Sequence, residues 1–338
     1  MTKIIVHPSG REISYDEGDT VLSCLEKNGL ALPNNCRAGA CGECKVKVLS
    51  GEYDQGFILD MALSPDDREQ GFGLMCMAKP KSEVLEIEWE THGNLPKLTP
   101  PREDVYHILT EKLLVTDKIV RLKLRPLKEG LRFWPGQYVT LGSSDDGIPA
   151  RSYSIANIPN NDGEIVLYIT KVEEGKASSW VHQSLQEGDM VKVSGPYGTF
   201  IGDPTAERSV LCLAAGSGLA PIMSLASAAL QRGGFRYPAT IIYSSKTADE
   251  VFAKGHFKYL ETKYRNFKFK TTTTQENNPN GYTGRIPDIL SHDFPNLYDY
   301  SIYIAGSPDF VDDCKRKVLE LNAQEEFIHT EGFFSQDI

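Results

Sequence analysis

The chain has 338 residues, 40% hydrophobic and 24% charged, which is long enough for two or three domains and ordinary for a soluble globular protein. A formal net charge of -10 argues against nucleic acid as a partner. No run approaches the roughly 18 apolar residues of a membrane span, and the opening "MTKIIVHPSGREI" lacks the apolar core of an export signal, so a cytoplasmic protein without a membrane span is expected. The odd number of cysteines, seven, fits a reducing compartment, where close-spaced thiols serve as metal ligands or catalysts more often than as disulfides. The charge is unevenly spread. Residues 1–96 carry 16 Asp and Glu against 9 Lys and Arg, and the remaining 242 carry 30 against 27.

Near the start of the chain, "CRAGACGECK" places Cys36, Cys41 and Cys44 on one short loop, and Cys76 follows after 31 intervening residues. Cys-x4-Cys-x2-Cys with a distant fourth cysteine is the plant-type [2Fe–2S] spacing. Gly39 and Gly42 would let backbone N–H groups approach the sulfides without interference from a Cβ. A zinc site is the competing reading of four cysteines, but structural zinc sites pair close-spaced ligands in both halves, and Cys76 stands alone. Cys24, Cys212 and Cys314 sit in apolar or helical contexts and read as packing residues. On these residues the first domain, 1–95, resembles a plant-type ferredoxin of β-grasp fold. "GREISYDEGDTVLSCLEKNGLALPNNC" is similar to that family's opening hairpin, helix and approach to the cluster.

"NLPKLTPPRED" has three prolines and no hydrophobic periodicity, so a linker is expected at 96–103. Next come alternating apolar runs, "KIVRLKLRPL", "GQYVTLGS", "EIVLYITKV" and "DMVKVSG", with turn residues between them; an antiparallel barrel is expected over 104–203. From "SVLCLAAGSGLAP" onward the pattern changes. "SVLCLAA", "ATIIYSS", "FKFKTTTT" and "SIYIAGS" read as buried strands alternating with helices such as "APIMSLASAALQRG" and "PDFVDDCKRKVLELN". That alternation implies a Rossmann-like parallel sheet over 204–338. The fold class is therefore multidomain α+β and α/β.

"RSYSIAN" supplies Arg151 for a phosphate, Tyr153 as an aromatic face and Ser154 as a hydroxyl. It resembles the Arg-x-Tyr-Ser flavin motif of the ferredoxin–NADP reductase superfamily, and the order "WPGQY", "RSYS", "GKASS", "GPYGTF" is that superfamily's. The resemblance implies FAD, held by Arg151, Tyr153, Ser154, Tyr168, Thr170 and by Gly175, Lys176, Ala177 and Ser178 at a helix start suited to a pyrophosphate. "LAAGSGLAPIMS" places Gly216, Ser217 and Gly218 between a strand and a helix, with Pro221 just inside it, and resembles the same superfamily's Gly-Thr-Gly-hydrophobic-Ala-Pro nicotinamide motif. "YSSKTADEVF" puts Lys246 where that family often has Arg. "YIAGSPDF" is similar to its Cys-Gly-Pro-Pro segment, with Ala305 for Cys, then Gly306, and Ser307 for the first Pro. The terminal "HTEGFFSQ" resembles its Glu-x-Phe element. This implies catalytic roles for Ser154 and Glu331 and places Phe333, or the equally suitable Phe334, beside the flavin.

The order ferredoxin, flavin barrel, nicotinamide domain resembles the single-chain NADH reductase component of bacterial multicomponent oxygenases, of the benzoate dioxygenase and methane or phenol monooxygenase type. A nicotinamide donates two electrons as hydride and a [2Fe–2S] cluster accepts one, so a flavin belongs between them. The resemblance implies a chain that takes electrons from NADH and passes them singly to a Rieske or di-iron oxygenase, and a monomer is expected. NADH rather than NADPH is expected because "YSSKTADE" offers only Lys246 to a 2′-phosphate, with Asp249 and Glu250 close behind. Three other readings stand beside it. The same electron chain could serve a P450 or a sugar-deoxygenating dehydratase, as in CDP-6-deoxyglucoseen reductases; the chain could be a zinc-bearing interaction protein; or it could be a free flavin reductase, for which the first domain is superfluous.

Overall fold

The computed structural model describes residues 2–30, 32–89, 98–142, 147–203, 207–232, 235–278 and 281–333. Residues 96 and 97 of the expected linker, and Phe334, lie outside them. Two compact units result. The first comprises the described residues up to Arg102 together with Pro196–Thr199; the second comprises Glu103–Gly195 and Phe200–Phe333.

In the first unit, strand Lys3–His7 alternates strictly, with Ile4 and Val6 fully buried and its neighbours half-exposed. It pairs antiparallel with Arg11–Ser14 and parallel with Val84–Glu88. Lys45–Ser50 and Phe72–Leu74 complete a five-stranded mixed sheet. Helix Val21–Lys27 starts at a capping box: Thr20 Oγ1 accepts from Ser23 N at 3.2 Å, and Ser23 Oγ accepts from Thr20 N at 3.1 Å. The helix lays Val21, Leu22, Cys24 and Leu25 onto the sheet, giving the β-grasp arrangement.

In the second unit, a six-stranded antiparallel sheet runs in the order Arg151–Ser154, Tyr138–Leu141, Met190–Tyr197, Arg102–Thr116, Ile119–Pro126, Ile165–Thr170. Its two edge strands approach one another and nearly close a barrel filled by Leu122, Leu124, Val139, Leu141, Leu167 and Val193. A second sheet of six strands is parallel throughout, in the order Tyr282–Thr283, Phe267–Thr273, Ala239–Ser245, Ser209–Ala215, Tyr300–Gly306, Ile328–Gly332. Helices Leu219–Gln231, Lys254–Lys263, Ile286–Asp293 and Pro308–Glu320 join the strands and cover two separate cores. The strand order reverses between Ser209–Ala215 and Tyr300–Gly306. A doubly wound sheet opens a ligand crevice at such a reversal, beyond the carboxyl ends of its strands.

Candidate active site and cluster loop

The cluster loop is held in place by backbone geometry. Gly39 and Gly42 have φ of +70° and +78°. A Cβ on Gly39 would lie 2.9 Å from Phe57 O, and one on Gly42 would lie 3.0 Å from Ala62 O, because segment 57–62 folds directly over them. Leu59 N donates to Gly39 O at 3.0 Å. Arg37 ties the loop back to the helix through Glu26 at 2.6 Å. Cys36, Cys44 and Cys76 are buried and Cys41 is half-exposed. Backbone amides point at the sulfurs: Ala38 N and Ala40 N donate to Cys36 Sγ at 3.4 and 3.3 Å, and Cys76 N donates to Cys44 Sγ at 3.4 Å. The Cys41 thiol and these amides hold Cys36 down to about 5, against the effect of burial. The Cys76 thiol likewise lowers Cys44. Cys41 and Cys76, hydrogen-bonded to Cys36 and Cys44, are pushed up in turn. Two such sulfur pairs, two glycine cradles and N–H groups directed at sulfur fit a negatively charged iron–sulfur group. Cys24 is buried in the same core as Cys44 and Cys76, on helix Val21–Lys27, whereas Cys212 and Cys314 lie in the cores of the second unit.

The candidate site around Ser154 and Glu331 is assembled by the last described strand. Ile328–Gly332 adds in parallel to Tyr300–Gly306, placing Glu331 opposite Ala305 and Gly332 opposite Gly306. Phe333 N then donates to Gly306 O at 2.7 Å. Glu331 is 3% exposed, and its Oε2 accepts from Ser154 Oγ at 3.1 Å across 177 residues of sequence. Burial raises the Glu331 carboxyl from 4.5 to about 8, with the serine bond opposing. A proton is therefore held at this carboxyl near neutral pH. Ala305 is fully buried, and a Cβ on Gly218 would stand 2.2 Å from Ala305 O. Ser154, Gly218, Ala305, Gly306, Glu331 and Phe333 are thus gathered at the strand-order reversal.

The remaining flavin candidates lie around the barrel edge. Arg151 and Tyr153 share one face of their strand, with Ser154 on the other. Burial pushes the Tyr153 phenol up to about 12, and the nearby Arg151 opposes this. Arg151 Nη1 donates to Ala150 O at 3.0 Å. Tyr168 is buried against Phe252, with ring centroids 4.7 Å apart, and Arg121 hydrogen-bonds its hydroxyl. Phe252 was not singled out in the sequence; its only signal was its place in "DEVF" after strand Ala239–Ser245. Thr170 pairs with Ile119 at the end of its strand. Gly175 caps a helix, Lys176–Ser179, in which Lys176 is exposed and Ala177 and Ser178 are buried. The Ser178 hydroxyl accepts from Val172 N at 3.1 Å and so closes this loop on itself.

On the nucleotide side, Gly216–Gly218 forms a tight turn leading into Leu219–Gln231, where Pro221 is buried. Gly216 has φ of +55°, and its Cβ direction is open, with nothing within 4 Å. Ser217 beside it is half-buried. An open, glycine-lined approach to a helix start fits a pyrophosphate. Lys246 is exposed at the end of Ala239–Ser245. Its amide donates to Glu250 Oε2 at 3.0 Å, and the Ala248 amide donates to Glu276. Two carboxylates therefore flank the only basic residue in "YSSKTADE".

Comparison with known proteins joins these parts. Residues 4–81 match the 2Fe-2S iron-sulfur cluster binding domain, residues 108–201 the oxidoreductase FAD-binding domain, and residues 212–316 the oxidoreductase NAD-binding domain. The protein is an iron–sulfur flavoprotein oxidoreductase. It is 30% identical to the phenol hydroxylase P5 protein of Acinetobacter pittii, over 98% of this chain and 94% of that one. It is also 30% identical to the reductase subunit of an aromatic O-demethylase from Amycolatopsis, over 97% and 98%. The crystal structure of the Amycolatopsis cytochrome P450 reductase GcoB superposes with a TM-score of 0.89, at 28% identity, over 98% of this chain and 99% of that one. The chain belongs to this family of single-chain reductases, in which a [2Fe–2S] ferredoxin domain precedes an FAD- and NAD-binding module. Among the described residues no helix is long and apolar enough to cross a membrane.

Proposed function

We propose that the chain is the reductase component of a multicomponent oxygenase, oxidising NADH and delivering single electrons to a terminal Rieske or di-iron oxygenase. The observation that carries this reading is the union in one chain of a hydride-side site and a one-electron cluster loop. When bound, FAD accepts a two-electron hydride and releases electrons one at a time to the cluster. We assign the ferredoxin domain to 1–95, the linker to 96–103, the barrel to 104–203 and the nucleotide domain to 204–338. Cys36, Cys41, Cys44 and Cys76 would hold the cluster. Arg151, Tyr153, Tyr168, Thr170, Phe333 and the 175–178 turn would hold FAD, and Ser154 with Glu331 would keep a proton at the buried edge of the site. Gly216, Ser217 and Gly218 would receive the NADH pyrophosphate, while Ala305 and Gly306 form the floor beneath the nicotinamide.

The acceptor would dock on the cluster side of the first unit. Phe57 and Met61 project from the segment covering Gly39 and Gly42, 63% and 80% exposed. Asp54 and Asp66 flank them in sequence and are also exposed, as is Asp60, which pairs with Arg68 at 2.6 Å. An apolar centre with an acidic rim suits a partner whose own apolar contact is ringed by Lys and Arg. Each candidate acceptor, Rieske, di-iron, P450 or dehydratase, can be purified and tested for NADH-driven reduction at increasing salt. With the true partner the rate should fall as salt screens the acidic rim, while NADH oxidation by a neutral quinone barely changes. Reduction of the dehydratase or P450, with neither oxygenase reduced, would refute the proposed acceptor. A rate that is flat or rising with salt would refute the electrostatic part.

Coenzyme choice follows from the charges around Lys246. A 2′-phosphate placed there would meet Glu250 and Glu276. Like-charge juxtaposition of this kind costs about 1–3 kcal/mol, so kcat/KM should favour NADH over NADPH on the order of 10–100-fold. A preference for NADPH in a direct comparison would defeat the assignment.

A further inference from the structure

The second unit contains a cavity that none of the redox chemistry uses. It has a volume of ≈ 130 Å³ and lies between the barrel loop at Trp134–Pro135 and the nucleotide domain, where helix Leu219–Gln231 and the first halves of strands Ser209–Ala215 and Tyr300–Gly306 form its other walls. Its floor includes Cys212 and Tyr303, partners in the strand register. The nicotinamide side of the same sheet lies at its opposite, carboxyl end. Cys212 and Tyr303, the lining residues nearest that end, stand two residues before Ala214 and Ala305, about 7 Å along the strands. None of Ser154, Gly216, Gly218, Ala305, Gly306 and Glu331 lines the cavity, which is therefore a distinct site on the same sheet.

Its chemistry is mainly aromatic and aliphatic. Trp134, Phe235 and Tyr303 supply rings, and Ala226 and Ala229 leave the space that larger helix residues would fill. The Tyr303 oxygen accepts from the Asp203 amide, and its ring stacks on His329 with centroids 4.7 Å apart. Phe200 meets it edge-on at 5.8 Å. An apolar space of about 150 Å³ stays dry and takes benzene, as an engineered cavity in another protein shows. The space here is partly open to solvent, and its ≈ 130 Å³ admits one six-membered ring against the aromatic walls. Offset and edge-to-face contacts to three aromatic walls favour an aromatic over an aliphatic occupant.

We propose that this cavity is a binding site for a small monocyclic aromatic compound, bridging the flavin barrel and the nucleotide domain. The inference is independent of the acceptor reading above. An occupant touches both the Trp134 loop and helix Leu219–Gln231, so it stabilises the folded unit by mass action. Fluorobenzene is the probe, with its ¹⁹F resonance followed on titration with the full-length protein carrying its cofactors. Saturable binding is expected, unaffected by saturating NAD⁺, with a rise in Tm. Ala229→Trp fills the cavity from a half-exposed helix position and should weaken binding at least tenfold while NADH oxidation by a quinone continues. Ala226→Leu is the second filling variant if the first fails to fold. The absence of saturable binding, displacement by NAD⁺, or equal affinity in a folded filling variant would each overturn the site.

Discussion

Cys41→Ser should abolish reduction of the protein acceptor while leaving NADH-driven ferricyanide reduction nearly intact. Second-sphere partners of metal ligands are already worth about 10–100-fold, so loss of a ligand should cost on the order of 100-fold or more in protein-acceptor turnover. The fold should survive. Cys41 is the half-exposed member of the four and lies outside the core of the first unit, which is built from Ile4, Val6, Leu22, Leu25, Leu85, Ile87 and their neighbours. The barrel and the parallel sheet have cores of their own. Visible absorption and electron paramagnetic resonance should show a lost or altered cluster with flavin retained. Cys24→Ser is the control, since Cys24 packs beneath the helix and should leave iron content unchanged. If both activities fell together in a folded Cys41→Ser protein, electrons would not reach the flavin before the cluster.

The second large effect is expected at Glu331. Glu331→Gln keeps the size of the side chain and can still bond Ser154, but it cannot hold or release a proton. Positioned acid–base groups typically contribute about 100-fold or more, so kcat for NADH oxidation should fall by roughly that factor with a smaller change in KM. The pH profile gives a sharper test. With the carboxyl raised to about 8, wild-type activity that depends on the protonated form should decline as pH rises through that value. The Gln variant should lack this limb. Stability follows the same sign. Between about 4.5 and 8 the folded chain retains a proton that the unfolded chain has released, so stability falls as pH increases across this window. Glu331→Gln should flatten that decline. An unchanged pH profile would remove Glu331 from the proton-holding role and leave it a packing residue.

Much of this organisation could be read locally. The cysteine spacing carries the cluster because a four-thiolate site imposes fixed intervals on a short loop, and the glycines between them were forced by the approach of segment 57–62. The alternation of strand and helix after residue 208 announced the parallel sheet, whose strands are buried on both faces and therefore read as continuous apolar runs. Strand Arg102–Thr116 was hidden. It contains "REDVYHILTEKLLVT", and register shifts between Leu109 and Glu111 and between Leu114 and Thr116 interrupt the two-residue alternation. Helices Lys254–Lys263 and Ile286–Asp293 were missed because each buries only two residues, too few to imprint a helical period. The family resemblance suggested Ser154 and Glu331, but only the parallel addition of Ile328–Gly332 beside Tyr300–Gly306 brings that carboxyl within 3.1 Å of the serine. The same is true of its altered acidity. Desolvation depends on every neighbour in space, whereas the sequence shows a glutamate between a threonine and a glycine. The candidate cluster ligands and the domain order were thus legible in local spacing and periodicity, while the buried Glu331 carboxyl, the carboxylates around Lys246 and the cavity beneath Trp134 were decided by contacts between segments distant along the chain.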